Sequence, residues 1–384
     1  MLVSVEFEST YEFLSGSSSM STTINVSSVA QCEDHAYRFI GELFYFIPLI
    51  YGIPTVLLYF NIITVIIVRR RNPVLKLAFF KLYAAYSVLM VVMWCFDMTS
   101  TRFIAIGYLC RDMLELFGTP SFQLSPVQFI MTYSRHAQFY AATVVSINRM
   151  TAVLFPTNYN KIWETHWVKF LTLMLILPLF TSWYLLPTQS YLRSYSLGGL
   201  TIAYNKIIPN ALCSVTFTTL LVASFCAVII FFSTVVTYIR LGTFRKNRGQ
   251  WNKVDKNLLI VGMTSSVSTF LLAIAEIPLY MSINFGVMSQ EHFFIAICIK
   301  QIVIDITFLF SAWSILFLCS TVRFFIIKMY CSLKYVIEGK AKGSDNVAKS
   351  PSLRRNSLKT ICVKNKNQLE RSRSLQDHGP APYI

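Results

Sequence analysis

Long apolar runs, separated by short polar stretches, set the pattern of this chain. Leu43 to Val68 holds no charged residue, and Leu77 to Met98 holds only Lys81 and Asp97, near its ends. Pro126 to Met150 carries Arg135 and His136. Phe170 to Leu192 is uncharged, as is Ile207 to Ile239, which is longer than one crossing requires. Asn257 to Asn284 contains only Glu276, and Phe293 to Val322 contains Lys300 and Asp305. A helix needs about 20 mostly apolar residues to cross the hydrocarbon core of a bilayer. The pattern therefore predicts an all-α integral membrane bundle of seven helices over 43–322. The expected spans are 43–68, 77–98, 126–150, 170–192, 210–239, 257–284 and 293–322, the third being the most polar.

Composition agrees with that reading. The 384 residues are 54% apolar and 14% charged, against roughly 45–50% and 25% in soluble domains. The net charge of +16 would suggest a nucleic-acid partner if the cations were scattered. They are not: 27 of the 34 Lys and Arg fall in the alternate connections and the tail. Such charge stays on the cytoplasmic side. The N-terminal segment 1–42 is then outside, the C-terminus inside, and nucleic acid is not an expected partner. The only Asn-x-Ser/Thr sequon, at Asn25, lies in the outside segment and is a glycosylation candidate. The start has no basic region, and Glu6, Glu8 and Glu12 interrupt any apolar core. The first run is therefore expected to be a retained insertion signal and not a cleaved peptide.

Seven spans with the ends on opposite sides argue against paired-repeat transporters and match the architecture of G-protein-coupled-type receptors. Two stretches carry more. Ser146-Ile-Asn-Arg-Met-Thr-Ala-Val-Leu-Phe-Pro-Thr-Asn-Tyr-Asn-Lys-Ile-Trp163 closes the third span. Phe46-Ile-Pro48 and Tyr51-Gly-Ile-Pro54 lie in the first, ahead of an Arg-rich inner end. Together they resemble the nematode serpentine receptor class gamma chemoreceptors, over about Leu43 to Cys331. That resemblance implies a chemosensory receptor of the plasma membrane, in sensory cilia, with a small-molecule or pheromone-like ligand and a heterotrimeric G-protein partner.

Asn148, Arg149 and Met150 are the candidate coupling residues. They resemble the Asp/Glu-Arg-Tyr motif of rhodopsin-like receptors, with Asn148 in place of the acid and Met150 in place of the tyrosine. Span seven has no Asn-Pro-x-x-Tyr. Arg149 has two open readings: coupling residue, or interface anchor at the negative end of its helix.

Charged side chains inside a bilayer are costly and face the bundle interior or a water-filled cavity. At 1.5 Å per residue, Arg135 lies ~21 Å from the inner boundary, Asp97 ~24 Å, Asp305 ~27 Å and Glu276 ~30 Å. These four, with His136, form an outer slab, and Lys300 is placed shallower, near the rim. The slab is a candidate ligand pocket open to the outside. The other open reading is a structural ion pair, for example Arg135 with Asp97 or Asp305. Pro278, just after Glu276, predicts either a kink or a helix end.

Cys110 is a disulfide candidate, with Cys213 or Cys32 as partner; free thiols remain the alternative. No metal-ligand spacing, Gly-rich phosphate loop or nucleophile–base constellation is seen, so neither cofactor nor enzymatic activity is expected. Residues 323–337 mix large apolar side chains with cations and predict an amphipathic helix on inner-leaflet lipid, with Cys331 a palmitoylation candidate. Residues 338–384 read as a disordered basic tail, with Ser357 and Ser374 in basic kinase-type contexts. The competing function is a ligand-gated channel or transporter. It would require a polar lining through the inner half, where Ser265, Ser266, Ser268 and Thr269 form the main polar cluster.

Overall fold

Backbone groups in lipid must find partners within their own segment, so a chain of long apolar runs folds into helices. The computed structural model describes residues 38–69, 75, 77–194, 199–205, 214–248, 253–286 and 289–342. Helix α1 is Arg38–Val68 and α2 is Ala78–Phe96. Without a break, α2 passes into a π-helical turn, Asp97–Arg102, and a last α turn, Phe103–Ile106. A short helix α3, Cys110–Phe117, leads to α4, Ser125–Leu154, and α5, Tyr159–Ser182. An antiparallel hairpin follows, β1 (Gln189–Ser194) and β2 (Leu200–Asn205). Then come α6 (Val215–Arg248), α7 (Lys253–Phe285), α8 (Gln290–Leu318) and α9 (Ser320–Lys342).

The ring closes through adjacent packing of α1 on α2, α2 on α4, α4 on α6, α6 on α7, α7 on α8, and α8 on α1. Helix α5 packs outside this ring, on α4 and α2. Among the described residues, five helices are long and apolar enough to cross a membrane, over Phe39–Val68, Ala78–Ile106, Tyr159–Leu185, Val215–Thr243 and His292–Leu318. Helix α7 adds a shorter apolar stretch, Val267–Ser282. Helix α4 is more polar because protein surrounds it. It touches α2, α5, α6 and α7, and it buries Gln128, Thr132, Ser134, His136, Gln138, Thr143, Ser146 and Asn148.

Several boundaries differ from expectation. The second span does not stop at Met98: the helix runs eight residues further, to Ile106. The polar run Asp97-Met-Thr-Ser-Thr-Arg102 stays helical because Arg102 is neutralised inside the bundle and Phe103–Ile106 is apolar again. The fourth span is displaced toward the N-terminus. It starts at Tyr159, taking Lys161 and Lys169 into the helix, and its last 3₁₀ turn is Trp183–Leu185. Pro187 follows, and a proline cannot donate the next helical hydrogen bond. Gln189–Leu192, expected as helix, is strand. The seventh helix ends at Leu318, at an extended Cys319, so Ser320–Val322 already belongs to α9. That helix continues to Lys342, past the expected start of the tail at 338. Helix α7 continues past Pro278, so the proline lies inside the helix and does not end it.

The hairpin covers the outer end of the bundle. Ser190 and Ser121 exchange backbone hydrogen bonds of 2.8 and 3.1 Å, and Ser125 Oγ donates to the Thr188 carbonyl. Leu192 and Leu200 pack with Ile104, Cys110, Leu114 and Leu124. Gly199 has φ +83°, and a Cβ there would sit 2.0 Å from the Ala105 carbonyl oxygen. Only glycine accepts both conditions. At mid-bundle, Gly52 plays a packing role. A Cβ at this position would lie 2.1 Å from the Trp94 ring, so the missing side chain is what admits the indole. Trp94 in turn stacks on Phe308, centroids 5.3 Å apart.

Candidate functional site

Arg102 is the centre of the outer polar site. A guanidinium has five N–H donors, and Arg102 uses all of them. Nε donates to Asp97 Oδ2 at 2.8 Å. Nη1 donates to Asp305 Oδ2 at 3.0 Å and to the Phe44 carbonyl at 3.1 Å. Nη2 donates to Asp305 Oδ1 at 2.7 Å and to Gln301 Oε1 at 3.1 Å. The arginine thus holds Asp305 by the two-pronged geometry that favours Arg over Lys. It ties α1, the end of α2 and α8 together with a side chain only 3% exposed. The π turn makes this arrangement local: with i→i+5 bonding, Asp97 and Arg102 face the same side.

A second cluster lies beside the first. Lys300 Nζ of α8 is 2.7 Å from Glu276 Oε1 of α7, and Arg135 Nη1 of α4 is 4.0 Å from the same oxygen. Glu276 is 1% exposed and Arg135 13%. Lys300 directly precedes Gln301, which accepts from Arg102 Nη2, so the two clusters adjoin on α8. His136 stands apart from both. It is fully buried, with Nδ1 2.9 Å from Thr181 Oγ1 of α5 and Nε2 3.2 Å from Thr219 Oγ1 of α6.

The expected slab is therefore only partly assembled as drawn from sequence. Asp97, Asp305, Glu276 and Arg135 share one network, while His136 faces the α5–α6 side. Arg135 lies nearest Glu276, and neither Asp97 nor Asp305 is its partner; both are held by Arg102. Asp97, Asp305, Glu276 and His136 are buried, and Arg135 is 13% exposed. Arg102 was missed because the span was ended at Met98; the apolar Phe103–Ile106 after it was the available signal. Lys300 was placed too near the rim: α8 begins at Gln290, so Lys300 is three turns inside.

An aromatic layer lies beneath this network. Trp94, Phe308 and Tyr59 pack together, and Tyr59 Oη donates to the Phe308 carbonyl at 3.0 Å. Below it is a narrow cavity of about 30 Å³, counted as room for the centres of waters, lined by Tyr83, Tyr86, Ser146, Arg149, Ser268 and Ser311 among others. That is room for one or two waters. Arg149 stacks over the Phe79 ring at 4.6 Å. Asn148 is buried and its Oδ1 accepts from Tyr159 Oη at 3.2 Å. Trp163 Nε1 donates to Thr151 Oγ1 at 2.7 Å. Met150 is half-buried beside them. The inner end of α4 is thus fastened to α5 through the polar atoms of Asn148 and Thr151.

Cys110 is disulfide-bonded, while Cys32 and Cys213 lie outside the described residues. So do Asn25, Ser357 and Ser374. Cys331 is an exposed free thiol on α9. Helix α9 packs on α1: Arg69 lies 5.7 Å over the Phe325 ring, and Asn61 Nδ2 donates to Tyr330 Oη at 2.7 Å.

The family model of the Srg chemoreceptors matches residues 45–326, from within α1 to the first turns of α9. The chain belongs to the Srg chemoreceptor family. It is 27% identical over 285 residues to serpentine receptor class gamma-69 of Caenorhabditis elegans, covering 73% of this chain and 80% of that one. It is 25% identical over 261 residues to serpentine receptor class gamma-16 of the same organism, covering 67% and 77%. This Srg protein is accordingly a multi-pass membrane protein with the seven-helix serpentine bundle. The match spans both Arg102 and Arg149, so the outer network and the inner motif lie within the family region.

Proposed function

We propose that this Srg protein is a chemosensory receptor of the plasma membrane, placed in the sensory cilium, that binds an extracellular small molecule and activates a heterotrimeric G protein. The observation that carries this reading is the division of the buried polar groups into two levels. Arg102, Asp97, Asp305, Glu276, Lys300 and Arg135 stand at the outer level. Arg149 and its hydroxyl-lined cavity stand at the inner. The Trp94–Phe308–Tyr59 layer separates them, which supports a signalling bundle over a channel with a continuous polar lining. A ligand that binds one arrangement of the outer groups better than another shifts the population of the bundle, and α8 spans both levels, with Asp305 outside the layer and Ser311 below it.

The test is expression with a promiscuous Gα and a G-protein biosensor, a chemical library outside, and whole-cell recording in the same cells. A ligand-dependent biosensor response that disappears without the Gα supports the reading. Current persisting without any G protein would overturn it. Arg135→Leu on surface-matched receptor then tests the pocket: an unchanged midpoint and maximum would remove the outer network from ligand recognition.

A further inference from the structure

The outer network is neutral overall but unevenly shared. Arg102 holds two carboxylates, whereas Glu276 stands between two cations. The Lys300–Glu276 contact of 2.7 Å is a formed hydrogen bond; the Arg135–Glu276 approach of 4.0 Å is not. Three buried atoms around this junction have no hydrogen-bond partner: Glu276 Oε2, Arg135 Nε and Asp97 Oδ1. They are an acceptor on α7, a donor on α4 and an acceptor at the end of α2. Buried polar atoms are almost always partnered, so three orphans at one junction call for an explanation.

One exchange satisfies all three. If Glu276 passes to Arg135, its Oε2 and Arg135 Nε can pair in the side-on geometry that guanidinium and carboxylate favour. Lys300, released, is next to Gln301, which shares Arg102 with Asp97, and would take Asp97 Oδ1 as its new acceptor. Arg102 keeps Asp97 Oδ2 and both Asp305 oxygens throughout. Helix α7 is softened at this point, because Pro278 cannot donate to the carbonyl of Ile274.

We propose that Glu276 is a switch carboxylate: it passes from Lys300 to Arg135 as Lys300 passes to Asp97, drawing the outer end of α7 from α8 toward α4. This deepens the receptor reading by naming its moving part, but it needs neither ligand nor G protein to be tested. Spin labels are placed at Gln123→Cys, just before α4, and Phe285→Cys, at the end of α7. Every native cysteine outside the Cys110 disulfide is replaced by serine, Cys95, Cys226, Cys298, Cys319, Cys331 and Cys362 among them, and the full-length receptor is held in phosphatidylcholine nanodiscs. The readout is the distance distribution between labels.

Lys300→Met is expected to favour the shorter distance, and Arg135→Met the longer one, each by about fivefold or more in population. Asp97→Asn, which weakens the new acceptor without touching α4 or α7, is expected to favour the longer distance. Glu276→Gln is expected to erase the difference between the Lys300 and Arg135 variants. If Lys300→Met does not fold, Arg135→Met and Asp97→Asn carry the test, each expected to favour the longer distance and to lose its effect when combined with Glu276→Gln. Shifts in the same direction for Lys300→Met and Arg135→Met, or an unmoved distribution in Asp97→Asn, would overturn the switch. Failure of the receptor reading leaves a different mark: the populations shift as stated, yet no biosensor response follows in any ligand screen.

Discussion

Replacing Arg102 by methionine is the sharpest perturbation of this fold. The side chain is 3% exposed and all five of its donors are used. Three of those bonds go to carboxylates, and bonds to charged groups contribute about 1.5–3 kcal/mol each. They are not additive, because one side chain makes them all. The better guide is the loss of one partner from a buried ion pair, about 3–5 kcal/mol. Here two carboxylates are left behind, so the upper end is expected. At about 2–4 °C per kcal/mol for a large domain, the thermal midpoint of the purified receptor should fall by about 10 °C or more. Arg102→Lys should be intermediate, because an ammonium has three donors for five acceptors. The informative variant is the triple Arg102→Met, Asp97→Asn, Asp305→Asn. It removes Arg102 together with both of its carboxylates and should recover part of the loss, since no unpaired carboxylate is left buried, while Lys300 and Arg135 still share Glu276. The assay is fluorescence-detected size exclusion after heating, for all three variants and the wild type. A single variant within about 1 °C of wild type, or a triple variant as unstable as the single, would refute the reasoning.

Gly52→Val should drive the Trp94 ring out of place and destabilise by about 1–3 kcal/mol, seen as lost surface receptor; Trp94→Leu in the same chain should restore part of it. Tyr159→Phe removes the bond to Asn148 and should cost about 0.5–1.5 kcal/mol, measured as a lower thermal midpoint, while raising ligand-independent signal if this bond restrains α4. His136→Ala leaves a cavity and removes the ring contact of the Thr219 hydroxyl, while Thr181 keeps its bond to the Pro178 carbonyl. A loss of about 2–4 kcal/mol is expected, read in the same heating assay. Arg149→Met should abolish the biosensor response at normal surface level, and retained signalling would assign Arg149 to structure alone.

The class of fold was legible because lipid imposes a single demand, about 20 apolar residues per crossing, and six of the seven helices are identified by their apolar stretches. The third, α4, was visible mainly through its place in the series; its polar positions suit a helix surrounded by protein. The fourth was misplaced because hydropathy does not distinguish the apolar Trp183–Leu186 from the helix before it, and Pro187 was the stronger signal. The acids of the site could be found from composition, since a buried carboxylate is conspicuous in an apolar run. Their partners could not. Which cation reaches Asp305 depends on a side chain 203 residues away in sequence, and on a π turn that no periodicity of 3.6 announces. Asn148 illustrates the same limit: the missing acid was plain, but its bond to Tyr159 depends on where α5 begins.

That π turn has a consequence for how this region can vary. The turn from Asp97 to Arg102 accommodates one residue more than a regular helix would, and the apolar Phe103–Ile106 and the disulfide-bonded Cys110 come after it. Deleting a single residue there would convert the π turn into a regular α turn. The arginine would then stand four residues after Asp97 instead of five, still on the same face, and Ile104 would keep facing the hairpin. The same deletion in the regular helix before Asp97 would rotate everything beyond it by about 100°. The π turn is therefore the place where this helix can lose a residue and keep its outer contacts, and its length is less constrained than that of Ala78–Phe96.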